Sequence, residues 1–200
     1  ELQTAVRNRT AELAQANRQL CEREQELQHA AFHDPLTELP NRRYLIEKID
    51  TAMADAKRRG ESVALMLVDL DHFKPINDSY GHDAGDLMLR SIGQRLREHV
   101  RTNDMVARLG GDEFAVLICG ADAEAHTQEI ATRLLDELAK PVLYGASRLA
   151  VTISIGAALY PRHAEHFAGL YKSADEALYK AKQQGRSGFV KQGDAGNLSQ

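Results

Sequence analysis

The sequence predicts a mixed α/β (α+β) domain preceded by one long helix, and two observations support this prediction. From about residue 31 to residue 190, helix-like and strand-like hydrophobic patterns alternate, which is typical of a mixed sheet flanked by helices. Residues 2–30 differ in kind, because they contain no glycine or proline and are rich in Glu, Gln, Arg and Ala. We therefore expect a helix at residues 1–30, a domain at 31–190 and a flexible tail at 191–200.

The amino-terminal helix carries an apolar residue at heptad spacing, which forms one seam of a coiled coil. This row comprises Val6, Leu13, Leu20 and Leu27. The companion row is weaker because it contains two arginines, and it comprises Leu2, Arg9, Ala16, Arg23 and Ala30. Such a coil is marginal without help from an upstream domain, so its pairing can be switched. The alternative is a single amphipathic helix that docks on the domain.

Within the domain, helical periodicity marks the helices and short apolar runs mark the strands. The predicted helices cover residues 42–59, 86–100 and 123–139, and a last helix begins near Ser173, which has capping-box spacing to Glu176. The predicted strands are Ser62–Asp71, Asp104–Leu109, Phe114–Cys119 and Val151–Gly156. After Gly185 the composition turns to Gly, Ser, Gln and Asn, so we expect a frayed end.

The run Gly110-Gly111-Asp112-Glu113 joins the second and third predicted strands. Glycines at this position permit the positive φ angles of a tight hairpin turn. The two acidic residues are then either solvated at an ordinary turn or part of a site. A second segment of the chain favours the site.

The strand Ser62–Asp71 has an unbroken apolar run, which predicts burial on both faces, and it ends in carboxylates. A carboxylate at the end of a buried strand is costly to desolvate unless a positive charge meets it. If the hairpin lies beside this strand, Asp69 and Asp112 can face one cation, with the Leu70 carbonyl as a further oxygen ligand. Such hard ligands suit Mg²⁺.

Composition excludes several classes of protein. The net charge of −4 gives no bulk basicity, so nucleic acid is not an expected partner. The two cysteines, Cys21 and Cys119, fall in a predicted helix and a predicted strand, which favours neither a zinc cluster nor a disulfide framework. We find no signal peptide or membrane-spanning stretch. Because the chain begins with Glu, we interpret it as the cytoplasmic, downstream part of a longer protein, with any membrane anchor upstream of residue 1.

Several motifs occur in a fixed order across roughly residues 31 to 190. They are Asp34-Pro35-Leu36-Thr37 with Leu39–Arg43, Asp69–Asp78 continued by Tyr80–Asp86, the run Gly110–Phe114, and Ala174–Tyr179 with Lys182, Gly185 and Arg186. In these motifs the sequence resembles the GGDEF domain, the catalytic module of diguanylate cyclases. The resemblance implies a palm-like central mixed sheet flanked by helices, as in nucleotidyl cyclases. The preceding helix resembles the signalling helix that joins a sensor to such a domain.

The resemblance implies that two GTP molecules condense into cyclic di-GMP with release of two pyrophosphates. Such in-line phosphoryl transfer depends on positioning and on charge neutralisation. The implied metal, Mg²⁺ or Mn²⁺, is held by Asp69, Asp112 and the Leu70 carbonyl, contacts the triphosphate and lowers the pKa of the attacking hydroxyl. Glu113 is either a further metal ligand or the group that receives the proton, and the sequence leaves both open.

For the triphosphate, the resemblance implies contacts from Lys74, Lys182 and Arg186. Backbone amides between Asp71 and Lys74, where the chain leaves a strand, add further donors. On the residues alone, Lys182 and Arg186 could equally form a solvated basic helix end.

For the base, the resemblance implies that Asn77 and Asp86 read guanine. A carboxylate accepts from the N1–H and the exocyclic amine of guanine, which adenine does not offer at those positions. The alternative for Asp86 is a helix cap after Gly85. The implied substrate-binding set also includes Phe73, Gly110 and Gly111.

A regulatory site is implied by Arg101-Thr102-Asn103-Asp104, which matches the inhibitory Arg-x-x-Asp pattern of the family. Arg101 would form a fork on product phosphate or on a guanine edge, and Asp104 would pair with a guanine. Arg133 is a further candidate contact, and the alternative is an ordinary surface pair of Arg and Asp. The sequence departs from the family at Glu38, where Gly is usual, and at Ser187, where Asn is usual.

Because one such domain holds one GTP, the resemblance implies a homodimer, formed through the amino-terminal helix and controlled by an upstream sensor domain. The rival hypothesis is a catalytically silent domain that binds GTP or cyclic di-GMP and only transmits a signal. The intact acidic pair at Asp112 and Glu113 favours the enzyme.

Overall fold

The computed structural model describes residues 2–193, and the side chains of residue 9 and of residues 13–193. The helices of this part are α1 (Leu2–Phe32), α2 (Arg42–Arg59), α3 (Lys74–Tyr80), α4 (His82–Glu98), α5 (Ala123–Leu138) and α6 (Phe167–Gln183). The strands are β1 (Ser62–Asp71), β2 (Met105–Gly110), β3 (Glu113–Gly120), β4 (Val142–Tyr144), β5 (Ser147–Leu149), β6 (Thr152–Tyr160) and β7 (Gly188–Lys191).

A five-stranded mixed sheet in the order β2-β3-β1-β6-β7 forms the centre of the domain, and β4 and β5 form a separate hairpin. Strand β1 pairs antiparallel with both β3 and β6, whereas β7 runs parallel to β6. The predicted mixed sheet flanked by helices is therefore confirmed. The end of β1 lies between the β2–β3 turn and the start of β6, which places its carboxylates at one edge of the sheet.

Strand β1 is central because its side chains are apolar on both faces. Ala64, Met66 and Val68 pack in one core with residues of α4 and α5, such as Ile92 and Ile130. On the other face, a second core contains Val63, Leu65 and Leu67 together with Leu45 and Ile49 of α2 and Leu170 and Leu178 of α6. Helices thus cover both faces of the sheet, so β1 is a rigid support for the residues at its end.

Helix α6 lies very close to β6, and Gly156 makes this possible. A Cβ atom on Gly156 would come within 2.1 Å of the backbone nitrogen of Leu178. Real Cβ atoms do not approach backbone this closely, so only glycine fits. This approach brings the carboxyl-terminal half of α6, and with it Lys182, towards the end of β1.

The predicted bounds of α2 and β1 are confirmed. The side chain of Asn41 caps α2 by accepting from the backbone N–H of Tyr44 at 3.1 Å, and Gly60 ends the helix with φ 68°. The prediction that α4 begins near Asp86 is wrong, because the helix begins at His82. Gly85 lies inside α4, where sequence reasoning took it as a boundary.

The predicted start of the last helix is also wrong. Helix α6 begins at Phe167, and its buried stripe already includes Leu170, so Ser173 lies inside the helix and forms no capping box with Glu176. The frayed end expected after Gly185 is wrong for Gly188–Lys191, which form β7 beside β6. The remainder of the predicted tail, residues 194–200, lies outside the described residues.

Helix α1 spans 31 residues, and its heptad leucines are exposed. The exposed fractions are 61% for Leu13, 69% for Leu20 and 67% for Leu27, whereas the side chain of Val6 lies outside the described ones. The alternative in which this row docks on its own domain is therefore not observed. No helix in the described part of the chain is both long and apolar enough to span a membrane.

Candidate active site

The turn between β2 and β3 has the geometry that its glycines predict. Gly110 and Glu113 are cross-strand partners, so Gly111 and Asp112 form the tip of the hairpin. Gly110 has φ 137° and Gly111 has φ 52°, a region in which side chains other than glycine are strained. A Cβ at either glycine would meet only open space, so conformation and not crowding requires glycine here. The turn leaves room beside its acidic residues for a ligand.

The hairpin tip lies next to the end of β1, as predicted. Asp69 and Glu113 are Cα partners in the β1–β3 ladder, and the Leu70 backbone N–H donates to the carbonyl of Asp112 at 3.3 Å. Asp69 is nearly buried at 9% exposure. The structure therefore brings Asp69, Asp112 and Glu113 together at one sheet edge.

These carboxylates oppose one another electrostatically. Burial raises the pKa of Asp69 above its usual value, Lys182 opposes this effect, and the charges of Asp112 and Asp71 add to it. The pKa of Glu113 is raised by burial and then by Asp69 and Asp112, with Lys182 again opposing. Carboxylates that raise one another's pKa create a demand for positive charge.

Lys182 supplies part of that charge. Its Nζ lies 2.9 Å from Oδ1 of Asp69, and its side chain is 33% exposed. The alternative of a solvated helix end is therefore not observed for Lys182. Arg186 is more exposed, with Nε 4.0 Å from Oδ1 of Asp71, and Lys74 is exposed at the first residue of α3.

The donor set suits a divalent cation that takes most of its shell from elsewhere. Among the side chains that the structure describes, no three His, Cys, Asp or Glu converge into a ready-made cage. Magnesium is usually held by one or two carboxylates and completes its shell with waters and substrate phosphates. Asp69, Asp112 and the Leu70 carbonyl, in a cluster with raised carboxylate pKa values, fit that mode of binding.

The two residues predicted to read guanine lie on neighbouring helices. A Cβ on Gly85 would lie 2.0 Å from Oδ1 of Asn77, so the absence of a side chain at Gly85 allows Asn77 to pack against α4. Phe73, 8% exposed, packs at the same contact. Asp86 follows Gly85 inside α4, so the helix-cap alternative is wrong. Its half-buried carboxylate has no hydrogen-bond or ion-pair partner among the described residues.

Sequence reasoning missed one partly buried ion pair that holds the hairpin tip. Nη1 of Arg108 contacts both carboxylate oxygens of Asp34, at 2.9 and 3.0 Å. The same guanidinium donates to the Gly111 carbonyl from Nη2 at 2.7 Å and from Nε at 3.2 Å. Asp34 also accepts from the backbone and side chain of Thr37. Because Asp34 follows α1 by two residues, one arginine connects the end of that helix to the active-site turn.

The residues of the predicted product site lie before β2, at the far end of that strand from the Gly110 turn. Nη1 of Arg101 pairs with Asp122 at 2.7 Å. The carboxylate of Asp104 is only 2% exposed, and it accepts from the Arg101 backbone N–H and contacts Nε2 of His126, each at 3.0 Å. Asp122 and His126 belong to the start of α5.

The third candidate, Arg133, is engaged in the same way. Its Nη2 donates to the His99 carbonyl at 2.7 Å, and its Nη1 lies 3.6 Å from Glu129 of α5. All three predicted product contacts are thus occupied by residues of this domain. Both contacts of the Asp104 carboxylate are made by Oδ2.

Comparison with known proteins identifies the family. Residues 31–188 match the family model of the diguanylate cyclase GGDEF domain, and the chain therefore belongs to that family. Diguanylate cyclase TpbB from Pseudomonas aeruginosa is 44% identical over 161 residues, which cover 80% of this chain and 37% of TpbB. A solved structure of the TpbB GGDEF domain covers 80% of this chain and 94% of its own, with 42% identity and a TM-score of 0.77.

Two further similarities bear on function. The crystal structure of the coiled coil and GGDEF domain of DgcB from Caulobacter crescentus, in complex with c-di-GMP, has a TM-score of 0.85 and 27% identity, and covers 93% of this chain and 98% of its own. The cyclic di-GMP phosphodiesterase NbdA from Pseudomonas aeruginosa is 40% identical over 162 residues, which are 80% of this chain but 20% of NbdA. The chain thus spans less than half of its curated relatives.

Proposed function

We propose that this chain is a metal-dependent diguanylate cyclase that acts as a dimer. It condenses two GTP molecules into cyclic di-GMP and releases two pyrophosphates. The observation that carries the proposal is the carboxylate cluster of Asp69, Asp112 and Glu113 at the sheet edge, with Lys182 beside it. Family membership and the name of the relative TpbB support the same activity.

In the proposed mechanism, the 3′-hydroxyl of one GTP attacks the α-phosphorus of the other in line with departing pyrophosphate. Lys74, Lys182 and Arg186 bind the triphosphate and balance its charge. When bound, Mg²⁺ or Mn²⁺ held by Asp69, Asp112 and the Leu70 carbonyl supplies Lewis acidity at the triphosphate. Glu113, which is the Cα partner of Asp69 in the β1–β3 ladder, receives the proton of the attacking hydroxyl or adds a further ligand to the metal.

Asn77 and Asp86 select guanine in this proposal. The carboxylate of Asp86 accepts from the N1–H and the exocyclic amine of the base. This role is supported by the position of Asp86 inside α4, where its carboxylate has no hydrogen-bond or ion-pair partner among the described residues. Phe73, Gly110 and Gly111 shape the space around the nucleotide.

Two copies of the domain must meet, because each holds one GTP and each 3′-hydroxyl attacks the other nucleotide. We propose that α1 pairs with α1 of a second chain through the exposed heptad row of Leu13, Leu20 and Leu27. The coiled coil in the DgcB structure supports this arrangement.

Since the chain covers 37% of TpbB, we further propose an upstream sensor domain that controls the pairing. In this proposal the cyclase domain itself lies in the cytoplasm, where GTP is supplied.

We also propose that cyclic di-GMP inhibits the enzyme at Arg101, Asp104 and Arg133. The bound c-di-GMP in the similar DgcB structure supports a product-binding domain. Because Asp122, His126 and the His99 carbonyl contact these three side chains here, product must displace them, which lowers its apparent affinity.

A silent receptor domain is the second candidate, and the name of NbdA favours it, since a protein named as a phosphodiesterase carries a similar domain. Initial rates from GTP and Mg²⁺, measured at several concentrations of nucleotide-free protein, separate the two candidates. A cyclase gives product that rises more steeply than linearly with protein and vanishes in Asp112→Ala. GTP binding without product at any concentration would favour the receptor.

A further inference from the structure

Asp71, the second carboxylate at the end of β1, has no part in the mechanism above, yet it is only 3% exposed. The hydroxyl of Thr152 donates to its Oδ2 at 2.8 Å, and that of Ser154 donates to its Oδ1 at 2.7 Å. A buried carboxylate needs such donors to offset lost hydration. Both hydroxyls come from β6, which pairs with β1 at this edge.

A third donor reaches Asp71 from outside the β1–β6 pair. The backbone N–H of Ser187 donates to Oδ2 at 3.0 Å, and Ser187 directly precedes β7. Ser187 has φ 48° and Arg186 has φ 65°, so two consecutive residues with side chains adopt the left-handed region. Such residues persist there only when surrounding contacts hold them. The bond to Asp71 is one of those contacts.

The strained turn carries Arg186, the third residue of the proposed triphosphate site. On its other side, the Arg186 backbone N–H donates to the Ala181 carbonyl at 3.2 Å. The guanidinium remains half exposed, with Nε 4.0 Å from Asp71. The backbone is thus fixed at both ends while the charged group faces solvent at the sheet edge.

We propose that Asp71 is a positioning residue for Arg186. By accepting from the Ser187 N–H, Asp71 holds residues 185–187 in the left-handed turn that presents the guanidinium to the triphosphate. The inference rests on the proposed role of Arg186 as a phosphate contact. Asparagine is usual at position 187 in the family, and it adopts the left-handed region more readily than serine does. The hydrogen bond to Asp71 is therefore more important for holding Ser187 in this conformation.

The test uses 3′-deoxy-GTP, which keeps the base and triphosphate but cannot attack, and GMP, which lacks the β and γ phosphates. Both are titrated with Mg²⁺ into the wild-type chain and into Asp71→Ala, Asp71→Asn and Arg186→Ala. We expect Asp71→Ala to weaken 3′-deoxy-GTP binding about tenfold, which corresponds to about 1.4 kcal/mol. The affinity for GMP stays within about twofold, because it does not depend on the distal phosphates.

Asp71→Asn is the conservative variant. Its amide oxygen can still accept from Ser187 and Thr152, while the Ser154 hydroxyl rotates to accept from the amide N–H. It therefore retains most of the affinity for 3′-deoxy-GTP. The double variant Asp71→Ala/Arg186→Ala binds no more weakly than Arg186→Ala, because both substitutions remove the same contact.

The outcomes separate the inference from the function on which it rests. If Arg186→Ala leaves the affinity for 3′-deoxy-GTP unchanged, the phosphate role of Arg186 fails, and the positioning role fails with it. If Arg186→Ala weakens binding but Asp71→Ala does not, or if Asp71→Ala weakens GMP equally, only the positioning role is overturned. Hydrogen exchange at the Ser187 amide of the wild-type chain tests the bond even if Asp71→Ala does not fold. Slow exchange supports it, and exchange as fast as in an exposed amide contradicts it.

Discussion

At the scale of single residues, the three carboxylates of Asp69, Asp112 and Glu113, which we propose to be catalytic, lie close enough to repel one another. Burial raises the pKa of Asp69 and of Glu113, the charge of Asp112 adds to both shifts, and Lys182 offsets only part of this effect. Active sites commonly trade stability for function in this way. The same residues that carry the chemistry should therefore be replaceable with a gain in stability.

The first prediction concerns Glu113→Gln. Because the pKa of Glu113 is raised in the folded state, its ionisation costs stability as the pH rises from its usual value of 4.5 through the raised one. Above that range we expect Glu113→Gln to melt at a higher temperature than the wild type, and the difference to vanish at lower pH. Cyclase activity should fall at least about a hundredfold, as for loss of a proton acceptor. An unchanged rate would exclude Glu113 from proton transfer.

The second prediction concerns base selection by Asp86. Asp86→Asn replaces one acceptor oxygen by a donor that faces the N–H groups of guanine. GTP should bind about tenfold more weakly, whereas binding of ATP should not weaken, so the preference between the nucleotides shrinks. Asp83→Asn, which makes the same change of charge at an exposed position of α4, is the matched control. Equal effects of the two variants would contradict a role in base reading.

Sequence alone was informative for residues whose neighbours in space are also neighbours in the chain or in a predictable register. Asp69 and Asp112 meet as predicted because a buried strand and an adjacent hairpin place them together. The surroundings of Asp71 were not predictable, since its hydroxyl donors are 81 and 83 residues away in sequence. Glu38 replaces a usual glycine and adopts φ 58°, so the turn is kept despite the side chain.

At the scale of elements, Arg108 connects the end of α1 to the active-site turn. Burial alone would raise the pKa of Asp34, but hydrogen bonds from Thr37 and the ion pair with Arg108 outweigh it and lower the pKa below 3.8. The stabilisation is therefore present at neutral pH and is lost as the pH falls through the folded-state pKa. These contacts connect the end of α1 directly to the hairpin that carries the candidate catalytic residues.

The third prediction is that Asp34→Asn lowers kcat about tenfold or more, because a displaced Gly111 carbonyl misplaces the adjacent acidic residues. The apparent affinity for GTP should fall less than kcat, since the proposed base-reading and phosphate-binding side chains lie outside this turn. Steady-state kinetics compare this variant with Asp50→Asn, which lies exposed on α2. A change in KM alone, with kcat intact, would argue against control of the hairpin by Arg108.

The fourth prediction concerns the contacts between α5 and the proposed product site. Asp122 holds Arg101 at 2.7 Å, and this hydrogen bond lowers the pKa of Asp122. Asp122→Asn removes the negative charge from this contact, so it should loosen Arg101 and strengthen inhibition by cyclic di-GMP several-fold, provided that Arg101 binds product. Asp136→Asn, exposed on the same helix, is the control. Weaker inhibition in Asp122→Asn would mean that Asp122 supports the site and does not compete for it.

Helix boundaries were predicted well where a cap marks them, and poorly where a residue typical of a helix start lies inside the helix. Asn41 and Gly60 define α2, and both ends were predicted. Gly85 lies inside α4, because close packing against Asn77, and not a turn, requires a small residue there. The start of α6 was missed because the capping-box spacing of Ser173 and Glu176 occurs inside that helix. Strand β7 was missed because its pairing with β6 is a long-range contact that no local pattern reports.

At the scale of the whole molecule, one domain provides half of the proposed reaction. In the proposal, its carboxylate cluster holds one GTP and its exposed heptad leucines provide a surface for a second copy, while Arg108 connects the end of α1 to the β2–β3 turn. The heptad spacing predicted this exposed apolar row. It did not predict how strongly two copies pair, because the companion row contains two arginines. Association strength depends on both copies and on any domain upstream, so a single sequence does not determine it.

The most direct test of the two-copy cyclase titrates wild-type chain, at fixed concentration, with increasing amounts of Asp112→Ala chain and measures cyclic di-GMP formed from GTP and Mg²⁺. If both domains must be competent, mixed dimers form no cyclic product, and the rate falls towards zero as the inactive chain becomes the excess species. A rate that stays constant throughout the titration, although mixed dimers form, would contradict the requirement for two active domains and with it the proposed mechanism.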